Sequence, residues 1–317
     1  MKGRRMRMKL KAAILPASPS DPTGVDRIER GAMRDFARRM RKIRDAYIEG
    51  LNRIPAEPAV NRRYTFNLDP LLLSSILSRA GGEVDAQLLE GGEQSVWFFS
   101  AYVSTAYQRG TAQQFANLAQ QSTAYAGGQE SLANILRSEP YRRRIALIAA
   151  REFEEMQGLG GRVKADMARI LTDGMARGLN PRDIARALNE QVGIELIRAN
   201  RIARSEIPTA LRRARLDESE DAQERYGLKS MEMHYSALSP TTRLTHAERH
   251  GNLYTVEQQR NWWAQGANSI NCKCSTITVL VDDAGKPLVP AIIERARETE
   301  KKMRAKGKGP WVKEAKK

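Results

Sequence analysis

The stretch "NSINCKCSTITVLVD", residues 268–282, holds the only two cysteines of the 317-residue chain, Cys272 and Cys274, with a single lysine between them. An alternating apolar run follows, so the segment reads as a strand, on which residues i and i+2 share a face. At that spacing two Cα atoms lie about 7 Å apart, the upper limit for a disulfide, so a bridge would be strained. Paired thiolates on one face can instead share a soft cation. His246 and His250, in "THAERHG", are four residues apart and share a face if that stretch is helical. Two sulfurs and two ring nitrogens would complete a tetrahedral zinc site of the closed, structural kind. The competing reading makes the cysteines small buried hydrophobes and the histidines surface residues. His234, on an earlier alternating segment, is a further candidate ligand.

Other reactive constellations are sparse. "GLGGR" at residues 158–162 lacks the Gly-Lys-Ser/Thr ending of a phosphate loop, and neither a nucleophile elbow nor paired catalytic carboxylates stand out. With three histidines in the chain, two of them candidate ligands, acid–base chemistry has few players. The expectation is a protein that is not an enzyme.

Charge points to a polyanionic partner. Fifty-three Lys and Arg against 37 Asp and Glu give a net charge of +16 and a pI near 10.1, a field that attracts nucleic acid. The excess gathers at the two ends, in Arg4, Arg5, Arg7, Lys9 and Lys11 and in Lys301, Lys302, Lys306 and Lys308. Either these are solvated ends that keep the protein soluble, or they neutralise phosphates without regard to sequence. No apolar run approaches the roughly 20 residues of a bilayer span, so no membrane anchor is expected. The charged N-terminal residues lack a following apolar region of signal-peptide length. Two cysteines argue against a disulfide scaffold and for a reducing compartment.

The elements that would carry these residues are mostly helical. Residues 26–51 place Ile28, Phe36, Met40, Ile43 and Tyr47 at near-helical spacing. The paired glycines Gly81-Gly82 and Gly91-Gly92 read as turns. Residues 94–124, rich in Ala, Gln and aromatics, predict a long helix that is buried or faces a partner. A helix from Pro140 to about Met156 should end at Gly158–Gly161, and residues 162–177 then show an apolar face of Val163, Met167, Ile170, Leu171 and Met175. Gly178 supplies a stop, and Asn180 with Pro181 an N-cap and first turn. A helix from about Glu195 to Tyr226 should be interrupted or kinked at Pro208. Alternation in residues 230–237 and 277–281 marks strands. The fold class is mainly α: a long helical N-terminal and central region followed by a small α+β C-terminal domain. The expected organisation is a basic disordered arm (1–25), a helical docking region (26–157), the helical part (158–228) and the α+β part (229–290) of one domain, and a basic tail (291–317). "RGLNPRDIARAL" followed by an Arg-rich helix also admits a helix-turn-helix reading, and with it a DNA-binding regulator.

Residues 162–280 resemble the phage head-morphogenesis family of MuF-type minor head proteins. The points of likeness are "GLNPRDIARAL"; "RANRIARSEIPTALRRARL", with Arg204 and Glu206 flanking Ser205 where the family has threonine; the strand "MEMHYSAL"; "TTRLTHAERHG", through Arg243, His246 and Gly251; and "NCKCS", through Asn271. Two positions depart from the family pattern. Thr241 stands where an aspartate is frequent, and Ser269-Ile270 where a His-Pro pair precedes the asparagine. If that histidine is a ligand, His250 must replace it. The resemblance implies a minor capsid protein of a tailed phage, made in the host cytoplasm and carried in the virion at or near the portal, inside the head. Its implied partners are the portal protein, packaged double-stranded DNA and other head or scaffold proteins; its implied work is head morphogenesis, with packaging and ejection left open. The alternative in another class is a virion-carried, metal-dependent nuclease or toxin-like effector.

Overall fold

The structure, a computed structural model, describes residues 11–128, 131–307 and 309–312. The chain is mainly α, with a small α+β part near its C-terminus. In order, its elements are α1 (Asp26–Asn52), β1 (Ala56–Pro58), β2 (Tyr64–Phe66), α2 (Pro70–Leu88), a π-helical turn (Phe99–Val103), α3 (Ser104–Gln121), α4 (Thr123–Gly128), α5 (Leu132–Arg137), α6 (Glu139–Ala176), α7 (Pro181–Tyr226), β3 (Ser230–Tyr235), α8 (Leu244–Ala247), β4 (Leu253–Tyr254), α9 (Val256–Ala264), β5 (Ser275–Leu280) and α10 (Ala291–Ala305). They form two compact units.

One unit comprises Glu29–Ser104 and Arg142–Ala203. Phe36, Met40, Ile43 and Tyr47 are the buried stripe of α1, as their spacing predicts, and burying each such side chain contributes roughly 1.5–3 kcal/mol. Phe36 packs edge-on to Trp97, with ring centroids 4.9 Å apart, and against Phe98 at 5.4 Å. The aromatic residues at the head of the Ala/Gln-rich stretch are therefore core. Asp69 caps α2 by accepting from the Leu71 N–H, with Pro70 in the first turn.

Glycine was a poor guide to breaks here. Gly81 and Gly82 lie inside α2, and α6 runs unbroken through Gly158–Gly161. Each internal glycine costs about 1 kcal/mol, which the burial of Val84, Leu88, Leu159 and Val163 outweighs. Gly178, at φ +65°, does turn the chain after α6. Asn180 then caps α7 through the Arg182 N–H at 2.9 Å. Pro208 does not end α7, which continues to Tyr226. No short recognition helix follows the turn, so the helix-turn-helix reading fails.

The other unit comprises the described parts of Met1–Ile28, Thr105–Tyr141 and Arg204–Lys317. Its centre is an antiparallel sheet of order β4-β3-β5, with Met233 opposite Ile277 and Glu232 opposite Thr278. Alternation gives the sheet two unlike faces. Met233, Tyr235, Ile277 and Val279 pack with Ile292 and Ala296 of α10 and with Ala13. Glu232, Thr276 and Thr278 face the other way; the fully buried Glu232 carboxylate accepts from Ser219 of α7 at 2.7 Å, Thr276 at 2.5 Å and Thr278 at 2.6 Å.

β5 is an edge strand, and an open edge invites pairing with other chains. Amides of α3 cover it. Asn117 and Gln121 each donate to the Thr278 carbonyl at 2.9 Å, Gln121 accepts from the Leu280 N–H at 3.2 Å, and Gln114 donates to the Thr278 hydroxyl at 2.5 Å. This explains the Gln-rich composition of the stretch. It also places residues 105–141 in one compact unit with the sheet. Gly110 permits the close approach of α3 to α7, since a Cβ there would stand 2.4 Å from the Leu211 carbonyl oxygen.

The expected disordered arm is corrected for residues 11–25. Ala13 and Val25 are buried, the Ile14 N–H donates to Asn117 at 2.8 Å, and Gln120 donates to the Ala12 carbonyl. The tail also folds back beyond α10: Trp311 is fully buried, and its indole donates to the Ser239 carbonyl at 3.0 Å.

Candidate metal centre

Cys272 and Cys274 do not lie on β5 itself but on the extended residues that lead into it. Asn271, at φ +51°, turns the chain immediately before them, and its N–H donates to Ser205 of α7 at 3.1 Å. From the same face of α7, Arg212 donates through Nη1 to the carbonyls of Cys272 at 2.7 Å and Cys274 at 3.3 Å. Residues 205, 209 and 212 stand four and three apart, so one helical face holds the cysteine segment. That spacing was visible in "SEIPTALR". What it faced was not.

The third member arrives from α8. His246 is buried with both cysteines, and its Nδ1 lies 3.4 Å from the Cys272 sulfur and 3.5 Å from the Cys274 sulfur. The three candidate ligand atoms all fall within 4.8 Å of one another. Zn–S bonds of about 2.3 Å and a Zn–N bond of about 2.0–2.1 Å give a tetrahedral S–N edge of about 3.5 Å. The donor set and its spacing therefore fit zinc.

Arg243 fixes this approach. It stands at the N-terminus of α8 and donates to the carbonyls of Ala267, Asn268 and Ile270 at 2.6, 3.1 and 3.2 Å. One side chain thus ties the helix bearing His246 to the loop entering Cys272.

The predicted fourth ligand is corrected. α8 lasts one turn, so His246 and His250 do not share a helical face. His250 points elsewhere: its Nδ1 accepts from the Ser236 N–H at 3.1 Å, and its Nε2 is 3.0 Å from the Ala296 carbonyl. Burial lowers its pKa from the ordinary histidine value. His234 is also outside the cluster, held by Gln259 at 3.3 Å and flanked by Trp262 and Trp263; burial pushes its pKa down to about 3. Gly251 adopts φ +77° after α8 and donates to the His234 carbonyl at 2.9 Å.

The two thiols do not behave alike. The Cys274 thiol donates to Cys272 and, with Arg212 and His246 nearby, pulls the Cys272 pKa well down. The same hydrogen bond and burial push Cys274 well up. The pair therefore readily gives up one proton and retains the second, which a divalent cation would displace. Both cysteines are free.

A cavity of about 620 Å³ opens beside the cluster, and Cys272, Cys274 and His246 are among its lining residues. So are Arg204, Arg243, Asn271 and Lys273. Lys273 pairs with Asp26, whereas Arg204 is exposed and makes no hydrogen bond or ion pair among the described residues. Glu206 is half-buried on α7, outside that lining. Trp262 was not singled out from sequence, yet its ring lies 4.7 Å from that of His246 and walls the site.

Of the basic residues proposed for nucleic acid, Lys11, Lys301, Lys302 and Lys306 are exposed. Arg4, Arg5, Arg7, Lys9 and Lys308 lie outside the described residues. No described helix is long and apolar enough to cross a membrane.

No curated protein and no solved structure matches the chain. Residues 165–277, the stretch that supplies Ser205, Arg212, Arg243, His246, Asn271 and both cysteines, match the family described as Phage Mu protein F like protein.

Proposed function

We propose that the protein is a minor structural component of a tailed-phage head, made in the host cytoplasm and bound at or near the portal inside the capsid. It acts there in head morphogenesis, beside packaged double-stranded DNA and in contact with the portal and other head or scaffold proteins. The observation that carries this reading is the family match, whose residues converge on a single buried cluster. The basic ends fit the same place: Lys11, Lys301, Lys302 and Lys306 are free to neutralise phosphates, with sequence-independent, salt-sensitive binding as the result.

In this reading Cys272, Cys274 and His246 hold one zinc ion that pins the segment entering β5 to α8. Its role is to hold these two segments together. Zinc bound there adds its binding free energy to folding, because the unfolded chain has no preformed site.

Quantitative mass spectrometry of purified phage particles, with cross-linking to the portal, tests the assignment. Detection in the particle with cross-links to portal subunits is the expected result, and complete absence from particles overturns it. Elemental analysis of the purified chain tests the metal, with about one zinc per chain expected.

A further inference from the structure

We propose that the metal held by Cys272, Cys274 and His246 keeps its fourth coordination position open to the adjoining cavity, and that the position takes a phosphate group gripped by Arg204. This rests on the metal reading given above.

The first support is the ligand count. Three donor groups lie close enough to share an ion, and both histidines expected nearby are committed to other partners. Sites with three protein ligands leave one position for water or an exogenous ligand. The second is the position of the cavity. All three ligand residues line it, and its volume of about 620 Å³ falls within the roughly 300–1,000 Å³ usual for small-molecule sites.

The third is charge. Arg204, Arg243 and Lys273 line the cavity, and no carboxylate residue does so among the described residues. Arg243 is occupied by three carbonyls and Lys273 by Asp26. Arg204 alone of these cations is unpartnered among the described residues. A zinc ion with two thiolates and a neutral imidazole has no net charge, so the surrounding cations leave the site positive. A guanidinium fork lining the same cavity as a Lewis-acidic ion suits a phosphate that contacts both. The hydroxyls of Thr241 and Thr242, in the same lining, supply further donors. Ser236, whose Oγ is 3.5 Å from the Cys274 sulfur, is the protein group that could close the position instead, and the test separates these outcomes.

Cobalt(II) in place of zinc gives an absorption band that reports its ligand set. The full-length protein loaded with one cobalt is titrated with inorganic phosphate, with a 5′-phosphorylated oligonucleotide, and with the same oligonucleotide unphosphorylated. The proposal expects the band to shift on addition of phosphate or of the phosphorylated end, and not with the unphosphorylated strand. The stronger of the two active probes identifies free phosphate or a nucleic-acid end as the source. In Arg204→Gln the phosphate-free band should be unchanged and half-saturation should need about tenfold more phosphate, a loss of about 1.4 kcal/mol.

A cobalt band that no phosphate probe moves overturns the open position while leaving the metal site standing. An R204Q titration identical to wild type overturns the role of Arg204. Failure to bind cobalt or zinc at all removes the metal reading and this proposal with it.

Discussion

His246 Nδ1 stands 3.4 Å from the sulfur of Cys272, a separation that a tetrahedral zinc ion would set and that brings α8 onto the segment before β5. The metal content should follow this geometry. Cys274→Ser and His246→Ala are expected to lose the bound zinc, whereas His250→Gln retains it. With free zinc about a thousandfold above its dissociation constant, the wild type should gain roughly 4 kcal/mol that both ligand variants lack. Elemental analysis and thermal melts with and without chelator provide the check, and an H250Q protein without zinc would restore His250 as a ligand.

The covered edge of β5 makes a second prediction. Gln121→Ala removes a donor to the Thr278 carbonyl and the acceptor of the Leu280 N–H. Asn117 still donates to the Thr278 carbonyl, so the cost is that of the unpaired Leu280 N–H, about 1–3 kcal/mol. Urea unfolding should show that loss, and light scattering should show concentration-dependent association through the uncovered edge.

Glu232 and Arg215 form the buried charge system on the polar side of the sheet. Arg215 is fully enclosed, and burial pushes its pKa down to about 10 while Glu232 opposes the shift. Glu232→Leu removes the carboxylate that offsets the Arg215 charge and leaves the hydroxyls of Ser219, Thr276 and Thr278 without their acceptor, for an expected cost of about 1–3 kcal/mol. Glu232→Gln keeps hydrogen-bonding capacity and should cost less. Equal stability of E232L and wild type in urea would contradict the arrangement.

His250 should make stability pH-dependent. Its folded pKa lies below the unfolded value of about 6.5, so below that value the unfolded chain binds the proton more readily. Its contribution to stability is whole above about pH 6.5 and declines as the pH falls toward the depressed folded pKa. His250→Gln, which can still accept from the Ser236 N–H and donate to the Ala296 carbonyl, should flatten the decline. Urea midpoints measured from neutral to mildly acidic pH, for both proteins, give the comparison.

Exposed lysines of the C-terminal region should report on DNA. Replacing Lys301, Lys302 and Lys306 by Ala is expected to weaken binding to any duplex alike. For each lysine that contacts a phosphate, the slope of log K against log salt should fall by about 0.9. Fluorescence anisotropy on two unrelated duplexes at several salt concentrations measures both effects, and an unchanged slope would remove these residues from the interface.

Local chemistry determined much of this protein. The 3.6-residue stripe of Phe36, Met40, Ile43 and Tyr47, the Asn180-Pro181 start of α7 and the alternation around Met233 and Ile277 each encode an element, because a buried face must repeat with the period of its backbone. The pairing of Cys272 with Cys274 and the choice of His246 were legible for the same reason, as was the likeness carried by "RSE", "TTRLTH" and "NCKC". Tertiary structure decided the rest. Whether Gly158–Gly161 and Pro208 break a helix depends on the packing that opposes their cost, and here α6 and α7 run through them. The four-residue spacing of His246 and His250 promised a shared ligand face, but α8 ends after one turn and His250 turns to Ser236 and Ala296. The Gln-rich run of α3 reads as featureless until β5 supplies the unpaired edge that its amides satisfy. In each case the deciding partner is distant in sequence, so no local pattern could announce it.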